Sequence, residues 1–248
     1  MIRLNCDLGE GFGRWQLADE AAVMPYIDMA NIACGFHAGD PLTLSRTLRL
    51  AKAHGVAVGA HPGYPDLLGF GRRSIAVSPE ELRSLFLYQI GALRALARAE
   101  GIDLEYVKPH GALYNDMMCD EGIFLALVEA LAGYDPSLKL MILASATAER
   151  YAKLAEKRGI GLLREFFADR AYTESCELMP RNRTGAVLHD PEAVLEQVRR
   201  AVDEGVVLSP SGSEIPLEFE TICVHGDNPQ AVELARSIHR LLHPEATP

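Results

Sequence analysis

Residues Tyr106 to Asn115 read YVKPHGALYN, in which a lysine and a histidine flank a proline. Pro109 disfavours helical geometry at Lys108, so the lysine belongs to an extended run. If extension continues to residue 110, the two-residue period puts Lys108 and His110 on one face, with Val107 and Pro109 on the other. Gly111 lets the backbone turn, and the helix that follows would offer N–H groups to an anion. Comparable polar groupings recur along the chain: Asn5, Asp7 and Glu10; Asn31, His37 and Asp40; His61; Arg72 and Arg73; Arg170; His225 and Asp227. Two kinds of chemistry suit such a set. Neutral imidazoles with Asp7 could hold a divalent metal with one position open, so that an activated water attacks an amide or ester. Alternatively, Lys108, Arg72 or Arg73 hold a phosphate while carboxylates hold magnesium. A lone histidine is more often an ordinary hydrogen-bonded residue, and it is the recurrence that points to a site. Cys6 and Cys34 are weaker nucleophile candidates, because alternation sets Cys6 on the face opposite Asp7, where small buried residues belong.

The elements that must carry these residues follow from periodicity. Residues 2–8 alternate as a strand, with Asn5 and Asp7 on one face, and a helical run is expected from Leu17 to about Tyr26. A second strand over 27–33 leads into a helix from Pro41 to His54, with Asp40 as N-cap. Val56 to Ala60 forms a third strand with His61 at its tip, and a long loop carries Gly69-Phe70-Gly71-Arg72-Arg73. Ser78-Pro79-Glu80-Glu81 reads as a capping box opening a helix to about Ala99. Four more strands are expected at 102–107, 138–143, 160–167 and 221–224, with helices over 121–131, 146–158 and 191–203 and a last one reaching Leu242. A hairpin crosses Val206 to Phe219, turning at Pro210-Ser211-Gly212. Seven strand-then-helix units imply a parallel sheet covered by helices. The polar residues sit after six of the strands, and only a closed barrel gathers that many ends around one mouth. The expected fold is therefore an α/β, irregular (β/α) TIM-like barrel of seven strands, in one domain over residues 1–248.

Composition narrows the function. With 24 Lys+Arg against 34 Asp+Glu, the formal charge of −10 argues against nucleic-acid or anionic-membrane partners, so an anionic ligand needs a local cationic cluster. Five widely spaced cysteines without a C-x-x-C pair suit reduced thiols, and no apolar run is long enough to span a membrane. A cytoplasmic location is expected, with no signal peptide in the opening MIRLNCDLGE.

NCDLGE at Asn5 to Glu10, NIACGFHAGDP at Asn31 to Pro41, GAHPGYPD at Gly59 to Asp66, GFGRR at Gly69 to Arg73, VKPHGALYN at Val107 to Asn115, FADRAY at Phe167 to Tyr172 and TICVHGDNP at Thr221 to Pro229 together resemble the LamB/YcsF lactam-utilisation family. The resemblance implies a glycoside hydrolase/deacetylase-like barrel. It also implies one subunit of an ATP-dependent 5-oxoprolinase that opens 5-oxo-L-proline to L-glutamate with two other subunits, B and C. ATP, with magnesium, would be the cofactor. The implied catalytic set is Asp7, His61, Lys108, His110 and His225. Lys108 would take phosphate or carboxylate, Asp7 and His61 a water or metal, and His110 and His225 protons. Substrate contacts would come from Asn5, Glu10, Asn31, His37, Arg72, Arg73, Arg170 and Asp227. Two alternatives stand beside this: a stand-alone metal-dependent amidase or deacetylase, and a non-catalytic substrate-binding subunit.

Overall fold

The structure is a computed structural model that describes residues 2–181, 183–225 and 230–244, with His225 described by its backbone alone. Its strands are β1 (Arg3–Leu8), β2 (Met29–Ala33), β3 (Ala57–His61), β4 (Leu104–Val107), β5 (Lys139–Leu143), β6 (Leu162–Phe167), β7 (Val206–Leu208), β8 (Glu214–Pro216) and β9 (Thr221–His225). Strands β1 to β6 pair in chain order, and β9 closes the ring between β6 and β1, giving a seven-stranded barrel in which every pairing is parallel. The expected hairpin is the antiparallel β7–β8 pair, which lies outside the barrel.

The helices are α1 (Glu20–Val23), α2 (Pro41–His54), α3 (Pro79–Ala99), α4 (Gly111–Cys119), α5 (Glu121–Tyr134), α6 (Ala148–Glu156), α7 (Pro191–Asp203) and α8 (Ala231–Leu242). Asp40 caps α2 by accepting from the N–H groups of Leu42 and Thr43, and Gly55 ends that helix with φ 68°. Ser78 and Glu81 form the expected capping box of α3. The helical run expected over 17–26 is much shorter. Asp19 starts α1 only at Glu20, and a 3-10 turn over Met24–Tyr26, with Pro25 inside it, replaces the rest.

Two apolar layers hold the barrel. Outside it, Leu4, Cys6, Leu8, Ile32 and Val58 join helix residues such as Leu48, Phe86, Ile90 and Phe124 in one core. Full burial of each large aliphatic or aromatic side chain contributes roughly 1.5–3 kcal/mol. Inside, Met29, Tyr106, Met141 and Leu163 form a separate cluster that plugs the barrel below the polar residues. Gly59 is part of that plug by omission, because a Cβ at this position would overlap the Tyr106 ring.

Gly59→Ala is therefore expected to displace Tyr106 and lower the denaturant-derived stability by about 1–3 kcal/mol, the usual cost of overpacking a core. A second expectation concerns acid. The Thr43 hydroxyl, followed by the Gly13 N–H, holds the Asp40 carboxyl down to about 2. Its contribution to stability is thus fully present above an unfolded-state value of about 4 and is lost as pH falls toward 2. Asp40→Ala should cost about 1 kcal/mol at neutral pH, and the gap in thermal midpoint from wild type should close as the pH is lowered from 4 to 2.

Candidate active site

Lys108 and His110 take the extended path expected for them. The Lys108 N–H donates to the Ala60 carbonyl at 2.9 Å and the His110 N–H to Pro62 at 2.8 Å, continuing the β3–β4 ladder beyond the end of β4. His110 keeps extended geometry, with φ −94° and ψ 145°, as the N-cap of α4. Gly111 then turns with φ 54°, and a Cβ there would meet the Gly71 carbonyl oxygen at 2.6 Å. That close approach lets the Ala112 N–H donate to Gly71, so this N–H is tied to the 62–78 loop and does not face an anion.

Inside the barrel, the polar side chains form one connected network. The Tyr106 hydroxyl donates to Asn31 Oδ1 at 2.7 Å, and Asn31 Nδ2 donates to Asn5 Oδ1 at 2.7 Å and to Asp7 Oδ1 at 2.8 Å. Asn5 Nδ2 in turn donates to the Thr221 hydroxyl at 2.8 Å. Both asparagines are fully buried and sit beneath the site, so they hold Asp7 and do not line the cavity above it. This corrects their expected role as substrate contacts.

Lys108 Nζ lies 2.9 Å from Asp7 Oδ1, 2.7 Å from Glu165 Oε1, 3.2 Å from Cys223 Sγ and 3.4 Å from Asn5 Oδ1. Burial works against the ammonium, but the neighbouring carboxylates of Asp7 and Glu165 outweigh it and hold Lys108 well above its usual range. The ammonium is thus enclosed by its own partners, whereas the sequence alone left it open to an incoming anion. Burial pushes the Cys6 thiol well up and Cys34 up to about 12, so neither is an activated nucleophile.

Above Lys108 the histidines converge. His61 Nδ1 lies 2.7 Å from the Lys108 carbonyl oxygen and His110 Nε2 2.8 Å from that of Phe70, so each donates an N–H to the backbone. The remaining lone pairs, on His61 Nε2 and His110 Nδ1, face each other across 3.0 Å. Asp7 Oδ2 is 3.4 Å from His61 Nε2, and Glu10 Oε1 is 3.5 Å from His110 Nδ1. His37 is fully buried, stacks on His110 with ring centroids 3.7 Å apart, and reaches Glu10 Oε1 at 3.4 Å. Burial first, and then neighbouring histidines, hold His37 and His110 well below the usual imidazole range, so both are neutral near pH 7.

Two facing lone pairs require a proton or a cation between them. Glu10, His37, His61 and His110 each offer a donor atom within 4.8 Å of the others, a set whose chemistry suits a divalent metal. The backbone carbonyls that fix the His61 and His110 tautomers are the outer-shell partners such a ligand pair needs. His61 of the expected metal pair belongs to this set, while Asp7 stands beside it.

These groups open into a cavity of about 640 Å³, whose lining includes Asp7, Glu10, His61, Lys108 and His110 at the base and Arg72, Arg170 and Arg181 on the walls. Arg72 is exposed and its guanidinium lies 5.1 Å from the centre of the Phe70 ring. Arg170 donates to the carbonyls of Ala186 and Met179, and burial, followed by the charge of Arg181, lowers it to about 10. Arg73 turns away, because Asp66 of the same loop pairs with its guanidinium, and this corrects its expected place at the substrate. The side chain of His225 and all of Asp227 lie outside the described residues.

Sequence reasoning passed over Glu165, Cys223 and Arg181. Glu165 had a usable signal, being a charged residue in mid-strand at the same parity as Leu163 and Phe167, where a parallel barrel expects apolar side chains.

The LamB/YcsF family profile matches residues 2–247. This chain belongs to the LamB/YcsF family. A relative from Vibrio cholerae serotype O1, named as the A subunit of 5-oxoprolinase, is 53% identical over 241 residues, covering 97% of each chain. One of the same name from Pyrococcus horikoshii is 50% identical over 244 residues, covering 98% of this chain and 94% of its own. The crystal structure of a lactam utilization protein from Thermus thermophilus superposes with a TM-score of 0.91 at 44% identity, over 98% of this chain and 96% of the other. The seven-stranded TIM-like barrel expected from the sequence is thus the fold of the family. No helix among the described residues is long and apolar enough to cross a membrane.

Asn31→Ala should unpair the Tyr106 hydroxyl and remove one hydrogen bond each from Asn5 Oδ1 and Asp7 Oδ1. We expect a loss of about 2–4 kcal/mol in chemical unfolding, since each buried group left unsatisfied costs about 1–3 kcal/mol and part of that relaxes away.

Proposed function

We propose that this chain is the lactam-handling subunit of an ATP-dependent 5-oxoprolinase, opening 5-oxo-L-proline to L-glutamate as ATP becomes ADP and phosphate. The observation that carries the chemistry is the convergence of the His61 and His110 lone pairs beside Asp7 at the base of a cavity with arginines on its walls. The name shared by relatives that are 50–53% identical over nearly the full chain supports a 5-oxoprolinase made of several subunits; that the substrate is 5-oxo-L-proline and the partners are subunits B and C is part of the proposal.

Ring opening adds water to the lactam carbonyl carbon, breaks the C–N bond and leaves a proton on the ring nitrogen. Asp7 Oδ2 and the neighbouring His61 would take the proton from water, and His110 would return one to the departing nitrogen, while His225 stays a proton-transfer candidate on the sequence alone. Arg72 and Arg170 supply positive charge for the substrate carboxylate, a role that the enclosed Lys108 leaves to them. Asp227 stays a substrate-contact candidate on the sequence alone. Glu10, His61 and His110, with His37 behind them, would hold a divalent ion. Such an ion would polarise the lactam carbonyl and acidify a water beside it. Transfer of the ATP γ-phosphoryl group to the amide oxygen, releasing ADP, would activate the carbonyl carbon for water; once the C–N bond has broken, a second water would hydrolyse the resulting acyl phosphate to the carboxylate and phosphate.

The same donor set favours a second reading, a metal-dependent amidase acting without ATP. Turnover of ATP and 5-oxoproline by this chain alone, and then with its two partner subunits, separates the two. We expect ATP-coupled glutamate formation in the complex and none from the chain alone. Asp7→Asn and His61→Ala should each lower it by about 10²–10⁴-fold while circular dichroism stays unchanged. Metal-dependent hydrolysis by the lone chain without ATP would favour the amidase, and full turnover in both variants would leave the chain only a binding role.

A further inference from the structure

The least economical residue in the barrel is Glu165. It is fully buried in the middle of β6, and the Lys108 ammonium lies 2.7 Å from its Oε1. That contact is an ion pair without hydrogen-bond alignment, and neither carboxylate oxygen has an aligned hydrogen-bond partner. The Tyr114 hydroxyl, also buried, sits against Glu165, whose charge and hydrogen-bonding contact both add to burial in raising it, although that contact is poorly aligned. A carboxylate in an apolar interior is costly unless hydrogen bonds satisfy it, and an apolar side chain of similar volume is often the more stable choice. Nor is Glu165 needed to neutralise Lys108, because Asp7 already does so at 2.9 Å. With Glu165 present, two carboxylates share one ammonium. Stability therefore does not account for this residue.

Its effect on geometry does. Asp7 Oδ1 is taken by Lys108 and Asn31, which leaves Oδ2 directed at His61 Nε2, 3.4 Å away. That division of labour holds only while the ammonium stays at the barrel floor. A lysine has a long, flexible stem, and with Asp7 as its one anionic partner Lys108 could follow that carboxylate toward the cavity. Glu165 anchors the same nitrogen from β6, two strands from β1 on one side of the ring and two from β4 on the other. We infer that Glu165 is a positioning residue for the reaction, pinning the Lys108 ammonium at the barrel floor so that Asp7 presents its second oxygen to His61.

The role rests on the ring-opening function proposed above, so its test needs one readout that activity does not control. In the reconstituted complex, Glu165→Gln, which keeps the shape and removes the charge, should lower kcat by roughly 10²-fold, the usual scale for a slightly misplaced catalytic group. KM for the lactam should stay within about threefold, since the residue does not touch substrate. The thermal midpoint should equal or exceed that of wild type. Glu165→Asp, which restores the charge on a shorter arm, should recover part of kcat. Independently, acylation of the intact chain followed by peptide mapping should find Lys108 protected in wild type and labelled faster in E165Q. Full kcat in E165Q overturns the inference. So does a loss that merely tracks a loss of folded protein, a failure of E165Q to fold, or continued protection of Lys108. Should the wild-type complex open no lactam, the functional reading fails, and the labelling of Lys108 still decides the placement.

Discussion

One buried ammonium organises the interior of this barrel. Lys108 brings a positive charge from β4 to a point where Asp7 of β1 and Glu165 of β6 can both reach it. Without it, two carboxylates would face each other in an apolar enclosure with no cation between them. With it, Asp7 is paired, Asn31 donates to the same carboxylate, and the asparagine and tyrosine layer beneath continues the chain of hydrogen bonds. The polar interior is thus a single network built around one cation, resting on a plug of Met29, Tyr106, Met141 and Leu163 that shuts the other end.

The division between floor and mouth follows from strand geometry. Side chains of alternate residues point inward, so each strand delivers one group to the floor and another nearer its C-terminal end, where loops begin. Asn5 and Asp7 are such a pair on β1, and Lys108 and His110 follow the same period past the end of β4. The histidines collect at the upper level because that is where β3 and the extension of β4 run out. The loops then close over them, with Phe70 supplying a carbonyl to His110 and Arg72 facing the cavity.

Much of this was legible in the sequence, and the exceptions are instructive. Strand alternation, the Asp40 cap and the Ser78 capping box depend on neighbours within a few residues, and each was readable from local pattern. The gathering of Asp7, His61, Lys108 and His110 followed from counting strand ends and closing the barrel. Depth was not readable, because a two-residue period tells which way a side chain points and not how far below the rim it lies. Asn5 and Asn31 therefore looked like ligand contacts, whereas they lie below the cavity, and Lys108 sits at its base already held by carboxylates. Arg73 and Asp66 pair within one irregular loop, where no period guides the eye. Glu165 was hidden in mid-strand between Arg164 and Phe166, with no glycine or proline beside it to mark a site.

The acceptors that fix the His61 and His110 tautomers are main-chain oxygens of Lys108 and Phe70. Every amino acid carries that oxygen, so no exchange of side chain at either position can delete it. The placement of protons on these two rings is inherited through the path of the backbone. Substitution at residue 70 or 108 can therefore disturb charge and packing without removing the acceptor that either ring uses. Only an insertion or deletion that bends the loop or the strand end would rewrite which nitrogen is available to react.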